Sequence, residues 1–291
     1  MKIPIGLRYM AEASLYFSIM SALVKVAGSR GVPWEQIVFA RALFAMVLTF
    51  VWLRWRDIEP WGESKGWLVA RGLFGVGGLM CFYYAVTHLP LGDATVIQFT
   101  NPAFVAIFAV FLLGEGLRAR DLAATIVCLS GVAFIAQPSF LFGAGRLPLF
   151  DVGIALLGAI VSAMAYTVVR RLGRTEHPLV IVLYFPLVAT PLTLPLAVLA
   201  GYVPDLVDLL TLCGVGLSSQ AAQVRMTQGL KLERAARATA VTYLQVVFAF
   251  AWGLLLFSEV PTALTIVGTL IVVGTTFAVS VSKSAADPLV R

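Results

Sequence analysis

Long apolar runs, separated only by short loops, constrain this chain more than any other feature of its sequence. A helix needs about 20 apolar residues to cross the roughly 30 Å of hydrocarbon in a membrane. Ten runs approach that length, and glycine or proline residues typical of turns stand between them. We therefore expect an all-α integral membrane protein with ten transmembrane helices. The predicted spans are Leu7–Gly28, Pro33–Trp55, Gly66–Leu89, Ala94–Leu113, Leu122–Gln137, Asp151–Val169, Pro178–Leu199, Leu206–Gly229, Ala235–Phe257 and Ala263–Val281.

The composition excludes most soluble classes of protein. Of the 291 residues, 60% are apolar and 12% are charged, whereas a soluble domain has about 45–50% and about 25%. A soluble chain this apolar would expose large apolar patches and aggregate. The three cysteines all fall within apolar runs and show no CxxC spacing, so they are expected to be buried hydrophobic residues rather than metal ligands.

The net charge of +6 first suggests nucleic acid or anionic lipid as a partner. Its distribution over the loops gives another explanation. With the N-terminus in the cytoplasm, fifteen Lys and Arg residues fall on the cytoplasmic side and three on the outer side, as the positive-inside rule requires. We therefore expect a multi-pass protein of the inner (plasma) membrane with both termini in the cytoplasm. Its partners are the lipid bilayer and a small-molecule substrate, with no nucleic acid.

The second half of the chain repeats the first. A displacement of 144 residues without gaps places Gly72–Glu115 over Gly216–Glu259. Thr95 then meets Thr239, and each segment ends on a glutamate. We interpret Glu115 and Glu259 as capping or orienting groups rather than proton carriers, because both stand at the ends of their helices.

The repeat predicts two halves of five helices, at residues 7–137 and 151–282. Five is an odd number of crossings, so the second half begins on the opposite side of the membrane from the first. Such inverted repeats are the architecture of many secondary transporters, whose substrate site lies at the repeat interface near the membrane midplane.

Several motifs now resemble those of the EamA family of the drug/metabolite transporter superfamily. The similarity covers nearly the whole chain. It rests on the segments Ile37-Val38-Phe39-Ala40-Arg41, Tyr83-Tyr84-Ala85, Leu89-Pro90-Leu91-Gly92-Asp93-Ala94, Gly114-Glu115 and Ser258-Glu259. The resemblance implies transport of small metabolites, with amino-acid exporters and carriers of other metabolites both in the family. It also implies that Arg41 is common to carriers of different substrates, whereas Arg225 and Ser258 depart from the family pattern.

Two arginines within predicted spans are candidates for substrate contact, because ionisable residues inside a membrane are costly and often functional. Arg41 lies about eight residues into the second span, roughly 12 Å deep. It either binds a substrate carboxylate or phosphate, or makes a structural ion pair. Arg225 lies about five residues from the cytoplasmic end of the eighth span. It either lines the cavity or snorkels to the membrane surface.

The eighth span is unusually polar. Ser219, Gln220, Gln223 and Thr227 recur at helical spacing and form one face. A polar face cannot point at lipid. We expect it to line a central cavity, the alternative being hydrogen bonds to neighbouring helices.

Glu12 stands four residues after Arg8, near the cytoplasmic end of the first span. Arg71, at a similar depth on the third span, is another candidate partner. We interpret Glu12 and Arg71 as a gate or ion pair, the alternative being a solvated carboxylate.

The repeat singles out amide side chains at equivalent points of the two halves. Gln98 and Asn101 map onto Thr242 and Gln245. Pro102 lacks an N–H and is expected to open its helix locally. These residues are predicted to flank a central site, the alternative being ordinary hydrogen bonds between helices.

Tyr83, Tyr166 and Tyr243 lie within spans rather than in an interfacial aromatic belt. A buried tyrosine hydroxyl needs a partner. We expect these tyrosines to line an amphipathic cavity, the alternative being packing between helices.

No catalytic or nucleotide-binding motif accompanies these features. The sequence contains no GxxxxGK[ST], HExxH or GxSxG pattern, so we expect no enzyme activity, cofactor or metal. The predicted function is a secondary transporter of small metabolites, with amino-acid or metabolite export as the first choice. Uptake of a nucleotide-like or vitamin-like metabolite is one alternative, and a non-transporting membrane scaffold is another.

Overall fold

The protein is a bundle of helices in a computed structural model, which describes residues 3–116, 118–143, 147–257 and 262–281. Within these ranges the regular structure is all helical. The helices are α1 Ile5–Ser29, α2 Trp34–Trp55, α3 Lys65–His88, α4 Leu91–Gln98, α5 Asn101–Leu113, α6 Ala119–Ala136, α7 Ser139–Phe142, α8 Leu149–Leu172, α9 Pro178–Leu199, α10 Leu206–Leu232, α11 Ala235–Ala240, α12 Leu244–Phe257 and α13 Ala263–Val281.

Ten segments of the described chain are long enough to cross a membrane, and nine of them are apolar enough by hydropathy. Two of the nine combine helices: Leu91–Leu113 joins α4 to α5, and Ala235–Leu256 joins α11 to α12. The tenth is α10, with 27 residues, whose polar residues lower its hydropathy. The prediction of an all-α membrane protein with ten transmembrane helices is confirmed.

The two halves have the same fold. Adding 144 to a residue number relates Gly72 to Gly216. The same shift brings the first and last residues of every long helix of the first half within three residues of the ends of a helix of the second half. The contacts follow the same rule: α1 packs on α10 as α8 packs on α3, and α5 packs on α8 as α12 packs on α1. The halves are therefore duplicates related by a pseudo-two-fold axis. Since each half crosses the membrane five times, they run in opposite senses.

Two membrane-crossing segments are broken at equivalent points. The first break separates α4 from α5 at Phe99 and Thr100, just before Pro102. The second is a 3₁₀ turn, Val241–Tyr243, between α11 and α12. A break frees backbone carbonyl groups, which need donors inside a membrane. The Tyr243 hydroxyl donates to the carbonyl oxygen of Phe99 at 2.9 Å.

We name the end of the bundle where α1 begins the proximal face, and the end where α1 finishes, at Ser29, the distal face. At the proximal face, Glu115 accepts from Arg170 at 2.8 Å and from the backbone N–H of Ala235 at 2.9 Å. Glu115 thus caps α11, in agreement with its interpretation as an orienting group. Glu259 lies outside the described residues.

Helices α3 and α9 pack closely against each other at Gly72. A Cβ atom at Gly72 would lie 2.6 Å from the carbonyl oxygen of Tyr184, a backbone atom that cannot turn away. We expect Gly72→Ala to lower stability by about 1–3 kcal/mol, as measured by thermal unfolding in detergent. Gly153→Ala is the control, because α8 has open space there. Equal stability of the two variants would contradict this packing.

Candidate functional site

Two buried arginines meet at one aromatic ring in the centre of the bundle. Arg41 of α2 is 8% exposed, and Arg71 of α3 is 2% exposed. Their guanidinium carbons lie 5.7 and 5.5 Å from the ring centroid of Phe185, on α9. Cation–π contact is favourable, but it leaves both positive charges in place.

The hydrogen-bond acceptors of the two arginines are neutral side chains of α10. Arg41 Nε donates to Ser219 Oγ at 2.7 Å, and Arg71 Nη2 donates to Gln223 Oε1 at 3.2 Å. Across the described ranges, no carboxylate lies within 4.0 Å of either guanidinium, and Arg71 Nε has no acceptor. The centre of the site therefore holds two cations without an anionic partner in the part of the chain that is described.

The polar face of α10 explains how the chain builds this centre. Ser219, Gln220 and Gln223 are all buried against α2 and α3. Gln220 Nε2 donates to Thr49 Oγ1 of α2 at 2.6 Å. The face thus points away from lipid, as its polarity requires. Thr49 was not among the predicted site residues.

The pseudo-two-fold axis passes close to Arg41. The displacement of 144 residues carries Arg41 onto Phe185, and these two residues are in contact. Phe99 and Tyr243 are a second equivalent pair, with ring centroids 5.8 Å apart. Residues that contact their own equivalents lie near the axis, which in an inverted repeat runs in the plane of the membrane. Arg41 is therefore near the midplane.

Two of the predicted tyrosines lie in the neighbourhood of the arginines. Tyr83 of α3 is near Arg41, and Tyr166 of α8 is near both Arg41 and Arg71. Tyr83 also stacks on Trp34, with ring centroids 5.4 Å apart. Trp34 begins α2, so this stack stands between the arginines and the distal face.

The amide residues at the helix breaks are buried or partly buried within the bundle. Gln98 Nε2 donates at 3.2 Å to Ser162, which lies one helical turn before Tyr166. Gln98 Oε1 and Asn101 Oδ1 are buried without a donor among the described residues, and Gln245 is partly buried at the start of α12.

Tyr243 differs from the prediction that it lines open space. It is fully buried, and its hydroxyl is committed to the Phe99 carbonyl. Its contacts stabilise the helix breaks.

The structure corrects the predicted partner of Glu12. Glu12 Oε2 lies 2.9 Å from Arg225 Nε, and no ion pair to Arg8 or Arg71 forms in the described structure. Arg225 also lies over the Tyr9 ring, at 5.1 Å. The side chains of Glu12 and Arg225 are each 37% exposed. The i, i+4 spacing suggested Arg8, but α1 and α10 pack closely enough to bring Arg225 nearer.

A crevice of about 670 Å³ lies between α1, α2, α9 and α10 in the proximal half of the bundle. Trp55, His177 and Gln220 are among the residues that line it, whereas Arg41 and Arg71 are not. Arg225 lines its wall. Burial, with the positive charges of Lys231 and Arg56, lowers the pKa of His177. A neutral His177 suits its role as a helix cap, in which Nδ1 accepts from the backbone N–H of Leu179.

Comparisons with known proteins identify a family for the chain described above. The model of the EamA-like transporter family matches residues 4–137 and 150–281. The Pseudopaline exporter CntI of Pseudomonas aeruginosa (strain UCBPP-PA14) is 34% identical over 272 residues, which are 93% of this chain and 94% of that protein. Solute carrier family 35 member G1 of Homo sapiens is 30% identical over 293 residues, 96% of this chain and 80% of that one.

A solved crystal structure has the same fold. It superposes with a TM-score of 0.81 at 19% sequence identity, covering 95% of this chain and 96% of the other.

The cavity assignment predicts access of water to the helix breaks. We expect Asn101→Cys and Gln245→Cys, in a background without the native cysteines, to react with a membrane-impermeant thiol reagent. Leu255→Cys is the control, because Leu255 is exposed on the outer surface of α12, where lipid would shield it. If both test positions stay unreactive from either side of the membrane, the cavity assignment is wrong.

The two kinds of ion pair predict different losses of stability. The Glu115–Arg170 pair is buried, with both side chains 3% exposed, so Glu115→Gln should cost about 3–5 kcal/mol because it leaves a buried charge. Glu12→Gln should cost at most about 1 kcal/mol, because water screens the Glu12–Arg225 pair. Denaturant unfolding in detergent measures both values. Equal losses would contradict the difference in burial.

Proposed function

The chain belongs to the EamA-like transporter family, and from that premise we propose that it exports a small carboxylate-bearing metabolite of the amino-acid class across the inner membrane. The protein is a membrane transporter, not an enzyme. The proposed mechanism is alternating access, with the repeats at residues 7–137 and 151–282 rocking about a central site. The observation that carries the proposal is Arg41, a buried cation with a neutral partner near the two-fold axis.

A carboxylate is the ligand that best complements Arg41. An uncompensated buried charge costs several kcal/mol, and an anionic ligand removes part of that cost when it binds. A guanidinium also matches a carboxylate in shape, since the two can form parallel, charge-assisted hydrogen bonds. The neighbouring tyrosines, Tyr83 and Tyr166, add apolar rings and hydroxyl groups for the rest of the substrate.

The shape of the bundle supports loading from one side. The crevice lies in the proximal half of the bundle, on the side that the positive-inside rule assigns to the cytoplasm. Toward the distal face, the stack of Tyr83 on Trp34 stands across the route. A substrate that enters from the cytoplasm and leaves on the far side is exported. Both termini are cytoplasmic in this proposal.

The name of one relative supports the same direction. The Pseudomonas aeruginosa protein that is 34% identical is called an exporter, of pseudopaline. Its substrate belongs to that protein, and we take from it only the direction of transport.

A transport mechanism of this kind depends on differential binding rather than on a covalent step. A substrate moves the equilibrium between the two states of a carrier only through a difference in affinity between them. Arg41 supplies that difference if the helices around it, α2 and α10, separate as one side opens. The Arg41–Ser219 hydrogen bond then marks the state described here.

Counterflow in proteoliposomes tests the proposal. Vesicles preloaded with unlabelled amino acids, nucleosides or vitamins are assayed for uptake of the labelled compound. We expect exchange of amino acids, and we expect Arg41→Gln to reduce it at least tenfold, which corresponds to about 1.4 kcal/mol of binding. Arg54→Gln, at an exposed position at the end of α2, is the control and should retain activity.

Two outcomes would contradict the proposal. Exchange of a nucleoside or vitamin without any amino acid would favour the uptake carrier that the sequence left as an alternative. Full activity of Arg41→Gln would remove the residue on which the proposal depends.

A further inference from the structure

We infer that the substrate carries two separate carboxylate groups together with an N–H donor, as an amino dicarboxylate does. The inference rests on the proposed function, because it names the substrate class of the same site. It depends on Arg71, which the sequence suggested as part of a gate and which the structure places beside Arg41.

The other buried or partly buried arginines with a described ion pair show what this chain does with cations. Arg225 pairs with Glu12, Arg170 with Glu115, and Arg30 with Asp208, at N···O distances of 2.6 to 2.9 Å. Arg237 pairs with Glu233 at 3.2 Å, and Arg234 pairs with Asp121 at 3.8 Å. Each carboxylate compensates a charge that water cannot fully screen.

Arg41 and Arg71 depart from this rule within the described ranges. Their acceptors, Ser219 and Gln223, carry no charge. Two such cations in one site repel each other, and a single monocarboxylate neutralises only one of them. A substrate with two negative charges compensates both.

The two anionic positions are distinct. Ser219 and Gln223 are four residues apart on α10, which is roughly 6 Å along a helix axis. Each is bound by a different arginine, and the Phe185 ring contacts both guanidinium groups. One compact group such as a phosphate would sit at one position. Two carboxylates joined by a short carbon chain can reach both.

A buried amide oxygen indicates a donor on the same substrate. Gln220 follows Ser219 on α10, and its Oε1 is buried without a donor among the described residues. A buried acceptor that lacks a donor is unfavourable, and an ammonium or amine N–H on the substrate would satisfy it. The substrate would therefore place its carboxylates on the arginines and its nitrogen toward Gln220.

Transport selectivity tests the inference. Glutamate, glutamine and glutarate have the same five-carbon chain, and glutamine lacks one charge of glutamate while glutarate lacks its amine. In wild-type proteoliposomes we expect glutamate counterflow to exceed that of glutamine and of glutarate by about tenfold or more, the effect of losing one good charged contact. Arg71→Gln should bring glutamate and glutamine within about threefold of each other, and Arg71→Lys should keep the preference. Arg54→Gln should match the wild type.

Thermal unfolding in detergent gives a second readout that does not depend on transport. If only a bound anion compensates the buried charge of Arg71, Arg71→Gln should raise the melting temperature of the ligand-free protein. Millimolar glutamate should raise the melting temperature of the wild type but not that of Arg71→Gln. A purely structural arginine would give the opposite sign, a lower melting temperature after substitution.

The outcomes separate this inference from the proposed function. Equal counterflow of glutamate and glutamine overturns the second carboxylate, while amino-acid transport still stands. Equal counterflow of glutamate and glutarate overturns the N–H donor. A lower melting temperature or loss of folding in Arg71→Gln overturns the role of Arg71. If no amino acid exchanges at all, the proposed function itself fails.

Discussion

A charge inside a hydrocarbon layer needs an opposite charge, and this requirement organises the whole bundle. At the proximal face, Arg170 and Glu115 join α8 to α5 and also cap α11. At the distal face, Arg30 at the end of α1 binds Asp205 and Asp208 at the start of α10. These pairs lie near the ends of the helices. Toward the middle, within the described ranges, Arg41 and Arg71 instead donate to the neutral side chains of Ser219 and Gln223.

Much of the fold can be predicted from the sequence, because the membrane imposes a strong length rule. Ten apolar runs predict ten crossing helices, and the structure contains them. The polar face of α10 is predicted to avoid lipid, and it does so by packing on α2 and α3. The helix break beside Pro102 also follows, since it reflects the missing proline N–H. The equivalent break at Val241–Tyr243 has no proline beside it and comes from the structure alone.

The arrangement of the site could be predicted only in part. Glu12 has a basic neighbour in sequence, Arg8, but its partner is Arg225 on a distant helix. Helical spacing identifies neighbours on one helix, whereas helix packing decides between helices. Phe185 gave no signal by composition, because it is one apolar residue in an apolar helix. The displacement of 144 residues, applied to Arg41, would have identified it. The sequence repeat is recognisable between Gly72–Glu115 and Gly216–Glu259. Arg41 and Phe185, the pair near the axis, lie outside those segments, in α2 and α9.

The contact between Arg41 and Phe185 has a consequence for the origin of the fold. In a symmetric dimer of one five-helix chain, a residue on the two-fold axis faces its own copy. An arginine at that position would face its own copy, and the two like charges would repel each other. Joining the two copies in one polypeptide lets each side of the axis change independently. An arginine on the axis that faces an aromatic ring is thus an arrangement that a fused chain can hold, whereas a symmetric homodimer would pair the arginine with itself.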